Sequence, residues 1–227
     1  MKNTDVFDIK VQVAGPEHKH LAEAIVDEMA ESAKARGTGI AKRSPDYIRQ
    51  KMDEGKAIIA ITKMGQFAGF CYIETWGHEN YVANSGLIVV PDFRKYGLAT
   101  KIKEKAFELS RKKYPDAKLF GLTTSAAVMK INSDLGYRPA HYTELTDDED
   151  FWKGCSSCVN YEILKSKDRK MCMCTAMVYD PAEKKKKKWD FITDSALWER
   201  WQRIKQMKLL KAFNKGGSKV MSFLGLA

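Results

Sequence analysis

The stretch VVPDFRKYGLATKI, residues 89–102, joins an apolar run to an amphipathic helix through a basic turn. A glycine turn that opens a helix presents unpaired backbone N–H groups and the positive end of the helix dipole. Arg94 and Lys95 add charge that can pair with phosphate, and Gly97 lets the backbone approach a bulky anion. The spacing is neither that of a P-loop nor that of a dinucleotide fingerprint. The stretch therefore predicts a phosphate cradle that follows a strand.

The sequence on both sides of this turn predicts a mixed α/β domain. Alternating, apolar or extended runs predict strands at residues 6–13, 56–63, 66–76, 84–90, 118–124, 137–145 and 171–179. Helical periodicity with capping residues predicts helices that begin near Pro16, Ser44, Gly97 and Ser125. The order is strand, two helices, three strands, helix, strand, helix and two strands, which is typical of a single α/β domain.

The composition favours a cytoplasmic domain with a sizeable core. The chain has 227 residues, of which 44% are hydrophobic. No run approaches the ~18 apolar residues of a membrane span, and the N-terminus has no apolar signal-peptide core. Five cysteines without a secretion signal indicate reduced thiols.

The positive charge is concentrated at the C-terminal end. Residues 183–227 carry 12 Lys and Arg against 4 Asp and Glu, which accounts for +8 of the net charge of +10. We therefore divide the chain into a domain over residues 1–181, a lysine-rich linker over 182–188 and an amphipathic helical tail over 189–227. The nearly neutral body argues against nucleic-acid binding by the whole chain.

The tail has three interpretations. It could pack on the body or on a second subunit of a homodimer, lie on an anionic membrane, or bind nucleic acid. Packing is favoured because Trp198 and Trp201 would otherwise stay in water.

Here the chain resembles the GNAT family of N-acetyltransferases. The residues Val90, Pro91, Arg94, Gly97 and Ala99 are similar to its acyl-CoA loop, in which Arg or Gln is followed by two residues, Gly, any residue, and Gly or Ala. The element order agrees, and the resemblance covers roughly residues 5–180. It implies a mixed, mostly antiparallel central sheet flanked by helices, to which the sequence adds the basic C-terminal appendage. It also implies an acyl-CoA-dependent N-acyltransferase.

The resemblance implies where acetyl-CoA, or another short acyl-CoA, would bind as cosubstrate. Backbone N–H groups of the cradle would hold the pyrophosphate, and the fourth strand would pair with the pantetheine amides. The thioester would lie near Gly86 and Leu87, where the fourth and fifth strands splay apart. The implied cofactor-binding residues are Leu87, Ile88, Val89, Val90, Arg94, Lys95, Tyr96, Gly97, Leu98, Ala99 and Ser125.

The sequence departs from the family at the general acid. The family often places a Tyr four residues before a Gly-aromatic pair, and here that position is Asn132. An amide does not titrate near neutrality, so another group must protonate the thiolate, or it leaves unaided. Tyr137, Tyr142 and Tyr96 are the candidate substitutes.

A general base is expected at the junction of the third and fourth strands. The segment ETWGHEN holds Glu74, His78 and Glu79, and a histidine titrates in the required range. The other interpretation of the segment is a solvated hairpin turn. The candidate catalytic positions are therefore Glu74, His78, Asn132 and Tyr137.

The segment KARGTGIAKR, residues 34–43, lies where the family commonly lines its acceptor pocket. Arg36, Thr38, Lys42 and Arg43 are candidate substrate-binding residues, because clustered basic side chains clamp carboxylates. The predicted acceptor is a small anionic amine such as an amino acid, with glutamate as the example and amino-acid biosynthesis as the setting. An exposed basic loop without a ligand is the alternative.

Four cysteines have the spacing of a metal site. Cys155 and Cys158, then thirteen residues, then Cys172 and Cys174 resemble a zinc ribbon. The spacing predicts a hairpin over 155–174 held by a structural zinc, and free thiols are the alternative.

Two rival functions stay open at this point. The chain could be a non-catalytic acyl-CoA sensor, since the Tyr acid is missing. It could instead be an adaptor that acts through its basic tail.

Overall fold

The computed structural model describes residues 8–37 and 42–183. Seven strands form one sheet in the order β1-β2-β3-β4-β5-β7-β6. The strands are β1 (Ile9–Val13), β2 (Ala57–Thr62), β3 (Phe67–Trp76), β4 (Tyr81–Val89), β5 (Lys118–Thr123), β6 (Arg138–Pro139) and β7 (Thr175–Tyr179). All neighbours are antiparallel except the β4–β5 pair. The predicted mixed, mostly antiparallel sheet is confirmed.

Helices cover both faces of this sheet. They are α1 (Ala22–Arg36), α2 (Pro45–Asp53), α3 (Leu98–Lys113), α4 (Ala126–Asp134), α5 (Glu149–Lys153) and α6 (Tyr161–Ser166). The predicted caps are present, since Ser44 Oγ accepts from Tyr47 N at 3.2 Å and Ser125 Oγ accepts from Val128 N at 3.4 Å. The predicted C-terminal appendage, from residue 184 onward, lies outside the described residues.

The apolar run of β2 is buried on both faces, which is why it does not alternate. Ile58 packs with Ile102 of α3 on one side of the sheet. Ile59 packs with Ile25 and Ile48, from α1 and α2, on the other side. The sheet is therefore the middle layer of three.

The β4 and β5 strands separate after a short paired section. Their parallel pairing is limited to Tyr81–Ala83 with Lys118–Phe120, although β4 continues to Val89 and β5 to Thr123. From Leu119 to Thr123, β5 pairs instead with β7. The predicted splay is thus present, and it opens a groove in the middle of the sheet.

A β-bulge interrupts β4 beside this groove. Ser85 is opposite Tyr72 and Ile88 is opposite Phe70, so two residues of β4 face one residue of β3. Gly86 has φ +66°, and a Cβ at this position would lie 2.6 Å from Tyr72 Cε1. Glycine is therefore required here by both backbone conformation and space.

The prediction of a cysteine hairpin over 155–174 is wrong. A 3₁₀ turn over Gly154–Ser157 and helix α6 occupy this stretch, and β7 begins only at Thr175. Asp148 caps α5 by accepting from Asp150 N at 3.0 Å, and Trp152 is buried behind it. Within the stretch itself, Leu164 of α6 is buried in the same apolar cluster as Trp152, and this burial favours a helix over an extended hairpin. Among the described residues, no helix is both long and apolar enough to cross a membrane.

Candidate active site

The predicted phosphate cradle forms one concavity. Residues Pro91–Phe93 make a 3₁₀ turn, Lys95 and Gly97 have φ of 69° and 78°, and α3 begins directly afterwards. The concavity has a volume of about 230 Å³ and is lined by Val89, Phe93, Arg94, Lys95, Gly97, Leu98 and Ala99. Val90 and Tyr96 are outside this lining, and the side chain of Ile88 is buried in the core.

Arg94 is held by protein groups at the edge of the cradle. Its Nε donates to Val89 O at 2.8 Å, and its Nη2 donates to Glu28 Oε1 at 3.2 Å and to Ser32 Oγ at 3.3 Å. The guanidinium therefore ties the turn to α1. The helix dipole, the backbone N–H groups and Lys95 provide the field for an anion.

A larger cavity of about 560 Å³ extends from the splay towards α2 and α5. The β4 bulge lines it through Gly86 and Leu87, and the start of α4 lines it through Ser125. The position implied for the thioester therefore opens into a space large enough for a small acceptor.

Glu74 reaches this cavity from β3. Lys51 Nζ donates to Glu74 Oε1 at 2.6 Å, and Glu74 Oε2 is buried without a hydrogen-bond partner among the described residues. Burial raises the pKa of Glu74 to about 7, against the opposing positive charge of Arg43. A carboxylate with this pKa can take up a proton near neutrality.

Arg43 lines the same cavity near Tyr72 and Tyr47. Its Nε donates to Tyr72 Oη at 2.9 Å, its Nη1 donates to Lys42 O at 3.1 Å, and its guanidinium lies 4.9 Å from the ring centre of Tyr47. The aromatic contacts hold the guanidinium in place, and a guanidinium held in this way can bind a carboxylate. Lys42 is exposed and outside the cavity lining, whereas Thr38 and the side chain of Arg36 lie outside the described residues.

The other three candidate catalytic residues and the candidate acid Tyr142 occupy different environments. Asn132 lines the cavity, is 2% exposed, and has a buried Oδ1 without a partner among the described residues. Tyr137 is buried behind the cavity and donates to Asn84 Oδ1 at 2.9 Å. Tyr142 lines the cavity and donates to Cys174 O at 2.8 Å. His78 is exposed in the turn between β3 and β4, outside the cavity lining.

Neither of these tyrosines is a good acid near neutrality. Burial is the main factor that raises the pKa of Tyr137 and the pKa of Tyr142 well above the ordinary phenol value. Both hydroxyl groups already donate to protein oxygens. The proton that a leaving thiolate requires therefore needs another source.

The four cysteines of the predicted zinc site all line the far wall of the cavity. Within residues 8–37 and 42–183, no group of three or more His, Cys, Asp or Glu side chains is arranged to hold a metal ion. Burial raises the pKa of Cys155 to about 11 and that of Cys174 to about 12, so neutral thiols are favoured over thiolates. The prediction of a structural zinc has no support.

Two parts of the cavity were missed from the sequence. Helices α5 and α6 contribute Phe151 and Leu164 to its wall, and the Asp148 cap was the signal that would have predicted the first of these helices. The buried Lys103 also lines the cavity. Lys103 directly follows Ile102, so it lies at the edge of the apolar face of α3. A lysine at such an edge is not expected to be buried, and no sequence pattern indicated it.

Comparisons with known proteins agree with this geometry. The Acetyltransferase (GNAT) family model matches residues 22–129. No curated protein matches the chain.

Solved structures share the fold at low sequence identity. N-acetylglutamate synthase from Neisseria gonorrhoeae, complexed with coenzyme A and N-acetyl-glutamate, has a TM-score of 0.53 and 16% identity over 76% of this chain and 35% of that chain. This chain thus spans about a third of that synthase. A Mycobacterium tuberculosis protein in complex with CoA and NLQ has a TM-score of 0.54 and 14% identity over 75% of this chain and 98% of that chain.

Another neighbour is a phosphinothricin acetyltransferase from Sinorhizobium meliloti in complex with AcCoA. Its TM-score is 0.51 with 11% identity, over 76% of this chain and 88% of that chain. The family match, the splayed strands and the cradle before α3 lead to one conclusion. Residues 22–129 match the acetyltransferase (GNAT) family, and the domain around them has the fold of acetyltransferases whose structures hold CoA or AcCoA.

Proposed function

We propose that the domain transfers an acetyl group from acetyl-CoA to the amino group of a small acceptor that also carries a carboxylate. The observation that supports this proposal best is that Glu74 and Arg43 line the same cavity beside the β4 bulge. Glu74 Oε2 is buried and unpartnered among the described residues, so it suits an ammonium group. Arg43 suits the carboxylate of the same molecule.

The proposed reaction needs three groups of this chain. Glu74 takes a proton from the bound ammonium, directly or through one water. The free amine attacks the thioester carbonyl carbon, and a backbone N–H beside Leu87 polarises the carbonyl oxygen. Arg43 orients the acceptor, so that the attack is effectively unimolecular. The new C–N bond forms, the C–S bond breaks, and the electron pair goes to sulfur.

Glutamate is the first acceptor to test. The fold is shared with an N-acetylglutamate synthase whose structure holds N-acetyl-glutamate. Arg43 and Lys153 both line the cavity, so each of two carboxylates would have a cationic side chain nearby, although Lys153 also pairs with Asp150 at 2.6 Å. The acyl group is taken as acetyl, with succinyl as the larger alternative.

The test is product formation from acetyl-CoA, followed by mass spectrometry, with the twenty amino acids and a set of polyamines. We expect an acetylated acidic amino acid. Acetylation of polyamines alone would contradict the carboxylate part of the proposal. Succinyl-CoA is assayed in parallel to define the acyl group.

A non-catalytic acyl-CoA sensor is the second candidate. The observation in its favour is Asn132, which cannot donate a proton at neutral pH. A sensor would bind acetyl-CoA, detected as a raised melting temperature, and would form no product with any acceptor.

An adaptor that acts through the tail is tested by deleting residues 184–227. Retained acetyl-CoA binding and turnover in that variant would exclude the adaptor as the main function.

A further inference from the structure

We propose that the ammonium group of Lys103 donates the proton to the CoA thiolate that leaves during acetyl transfer. This inference rests on the proposed function and names a catalytic residue for it. Lys103 projects from α3, has 2% of its surface exposed, and lines the large cavity together with Asn84 and Gly86. The ammonium therefore lies at the base of the splay, where the pantetheine arm would end.

The ammonium is hydrogen-bonded to a neutral group and not to a carboxylate. Lys103 Nζ donates to Asn84 Oδ1 at 3.2 Å and lies 5.7 Å from the ring centre of Tyr137. Among the described residues it has no salt bridge. A buried cation without an anion is costly, whereas an apolar side chain of similar size would pack there without this cost. A transient anion at this position, such as a thiolate, would complete the pair.

A fixed network orients the acceptor of this hydrogen bond. Asn84 Nδ2 donates to Ser110 Oγ at 2.9 Å, and Ser110 Oγ donates to Ala106 O at 2.7 Å. Tyr137 Oη donates to Asn84 Oδ1 at 2.9 Å. The Asn84 amide therefore makes three hydrogen bonds, with Ser110, Tyr137 and Lys103, and these fix the direction of its Oδ1 towards Lys103. The other N–H bonds of the ammonium stay available to a ligand in the cavity.

The groups that face Lys103 from the neighbouring elements are neutral at physiological pH. They are the Cys71 thiol of β3, whose pKa burial raises to about 11, and the Tyr137 phenol, whose pKa burial also raises. Burial lowers the pKa of Lys103 to about 8. The side chain is thus charged at neutral pH, yet it can release its proton far more easily than an exposed lysine.

The step balances without any further reactant. As the tetrahedral intermediate collapses, the C–S bond breaks and the electron pair stays on sulfur. One proton passes from Lys103 Nζ to this sulfur and gives CoA thiol and a neutral amine. The amine regains a proton from solvent after the thiol leaves. Lys103 thereby supplies the acid function that Asn132 cannot supply at the position of the family tyrosine.

The decisive variant is Lys103→Met, which removes the ammonium and keeps the aliphatic length. We measure kcat from pH 6 to 10 and the Kd of acetyl-CoA for wild type and variant. We expect kcat to fall ~10²- to 10³-fold, as for the loss of a general acid. The decline of wild-type kcat above pH ~8 should disappear, while acetyl-CoA still binds.

Three further variants separate proton donation from structure. Lys103→Arg keeps the charge but cannot release a proton, so it should stay as slow as Lys103→Met. Ser110→Ala disturbs the same buried network and leaves the ammonium, so it should keep the alkaline decline. Lys105→Met removes an exposed charge of the same helix and should behave as wild type. Circular dichroism and urea unfolding check the fold of each variant.

Two outcomes overturn the inference. One is a Lys103→Met enzyme that keeps the alkaline decline, and the other is a loss of kcat no larger than that of Ser110→Ala. Hydroxylamine serves as a general acceptor if no amino acid reacts. Wild-type protein that releases no CoA even with hydroxylamine would overturn both the proposed function and this inference, whereas failure of the Lys103 comparison alone would leave acetyl transfer intact.

Discussion

Lys51 donates a hydrogen bond of 2.6 Å to Glu74 Oε1, and this contact links α2 to β3 at the wall of the large cavity. Both side chains are removed from water. Burial lowers the pKa of Lys51 and raises that of Glu74, so the two values move towards each other. Lys51 thus holds the carboxylate in position, and Glu74 exchanges its proton close to neutrality.

Replacing Glu74 tests the proposed base. We expect Glu74→Gln to lower kcat/KM by ~10²- to 10⁴-fold, because the amide cannot accept the proton of the acceptor. Wild-type activity should rise with pH through about 7 as the carboxylate ionises, and this rise should be absent in the variant. Glu79→Gln, in the exposed turn, is the matched control. A Glu74→Gln enzyme with the same acid limb as wild type would remove Glu74 from the mechanism.

Replacing Lys51 tests the ion pair. In Lys51→Met the carboxylate loses its buried cation, so the acid limb of activity should move to higher pH. The free energy of unfolding at pH 8 should fall by ~3 to 5 kcal/mol, because an ionised carboxylate is left buried without its partner. At pH 5 the cost should be smaller, since protonated Glu74 needs no cation. Arg49→Met, on the exposed side of α2, should cost below ~1 kcal/mol. Equal costs at both pH values would contradict this account of the pair.

Replacing Arg43 tests the carboxylate clamp. Arg43→Ala should raise the KM of the acceptor by ~10- to 100-fold, which corresponds to the loss of a charged hydrogen bond. The Kd of acetyl-CoA should not change, since the cradle at Gly97 lies in a separate concavity. Arg43→Lys should restore little of the acceptor affinity, because a lysine can neither form a bidentate hydrogen bond with a carboxylate nor stack on Tyr47 in the same way. Steady-state kinetics and calorimetric titration provide the two measurements, and Arg49→Ala controls for the loss of charge. An unchanged acceptor KM in Arg43→Ala would show that the acceptor binds elsewhere.

Replacing Gly86 tests the bulge. Gly86→Ala should destabilise the domain by ~1 to 3 kcal/mol and should weaken acetyl-CoA binding, because the Cβ would meet the Tyr72 ring at 2.6 Å and φ is +66°. Gly65→Ala carries the same kind of conformational strain at φ +81°, but nothing lies within 4 Å of its Cβ. Its cost should therefore stay near ~1 kcal/mol. Urea unfolding of both variants measures the difference, and equal costs would contradict the steric part of the argument.

The cradle and the sheet could be predicted because their signals are local. A proline, a basic pair and a glycine before an amphipathic helix determine the turn at residues 91–97 without help from distant contacts. The apolar run at residues 56–63 likewise predicted the strand β2. The segment after β6 was predicted wrongly because cysteine spacing was given more weight than the Asp148 cap and the aromatic residues Phe151 and Trp152.

The remaining site residues could not be ranked from the sequence. Glu74 and His78 lie four residues apart in one segment, but the strand places the first in the cavity and the turn exposes the second. Arg43 and Lys42 are adjacent, yet only Arg43 lines the cavity. Neighbouring residues such as Lys42 and Arg43 point in different directions, and burial of a titratable side chain such as that of Glu74 then shifts its pKa.

The sequence by itself determined the order of the strands and of helices α1 to α4, the basic glycine turn at Gly97 and the absence of the tyrosine acid at Asn132, since each depends on residue type and short spacing. Only the tertiary structure decided that Lys51 meets Glu74 across 23 positions and that Lys103 is buried beside Asn84. The reason is physical: a charged side chain acquires its pKa and its partner from groups that are distant in the chain, and these meet only when the sheet and its helices have packed.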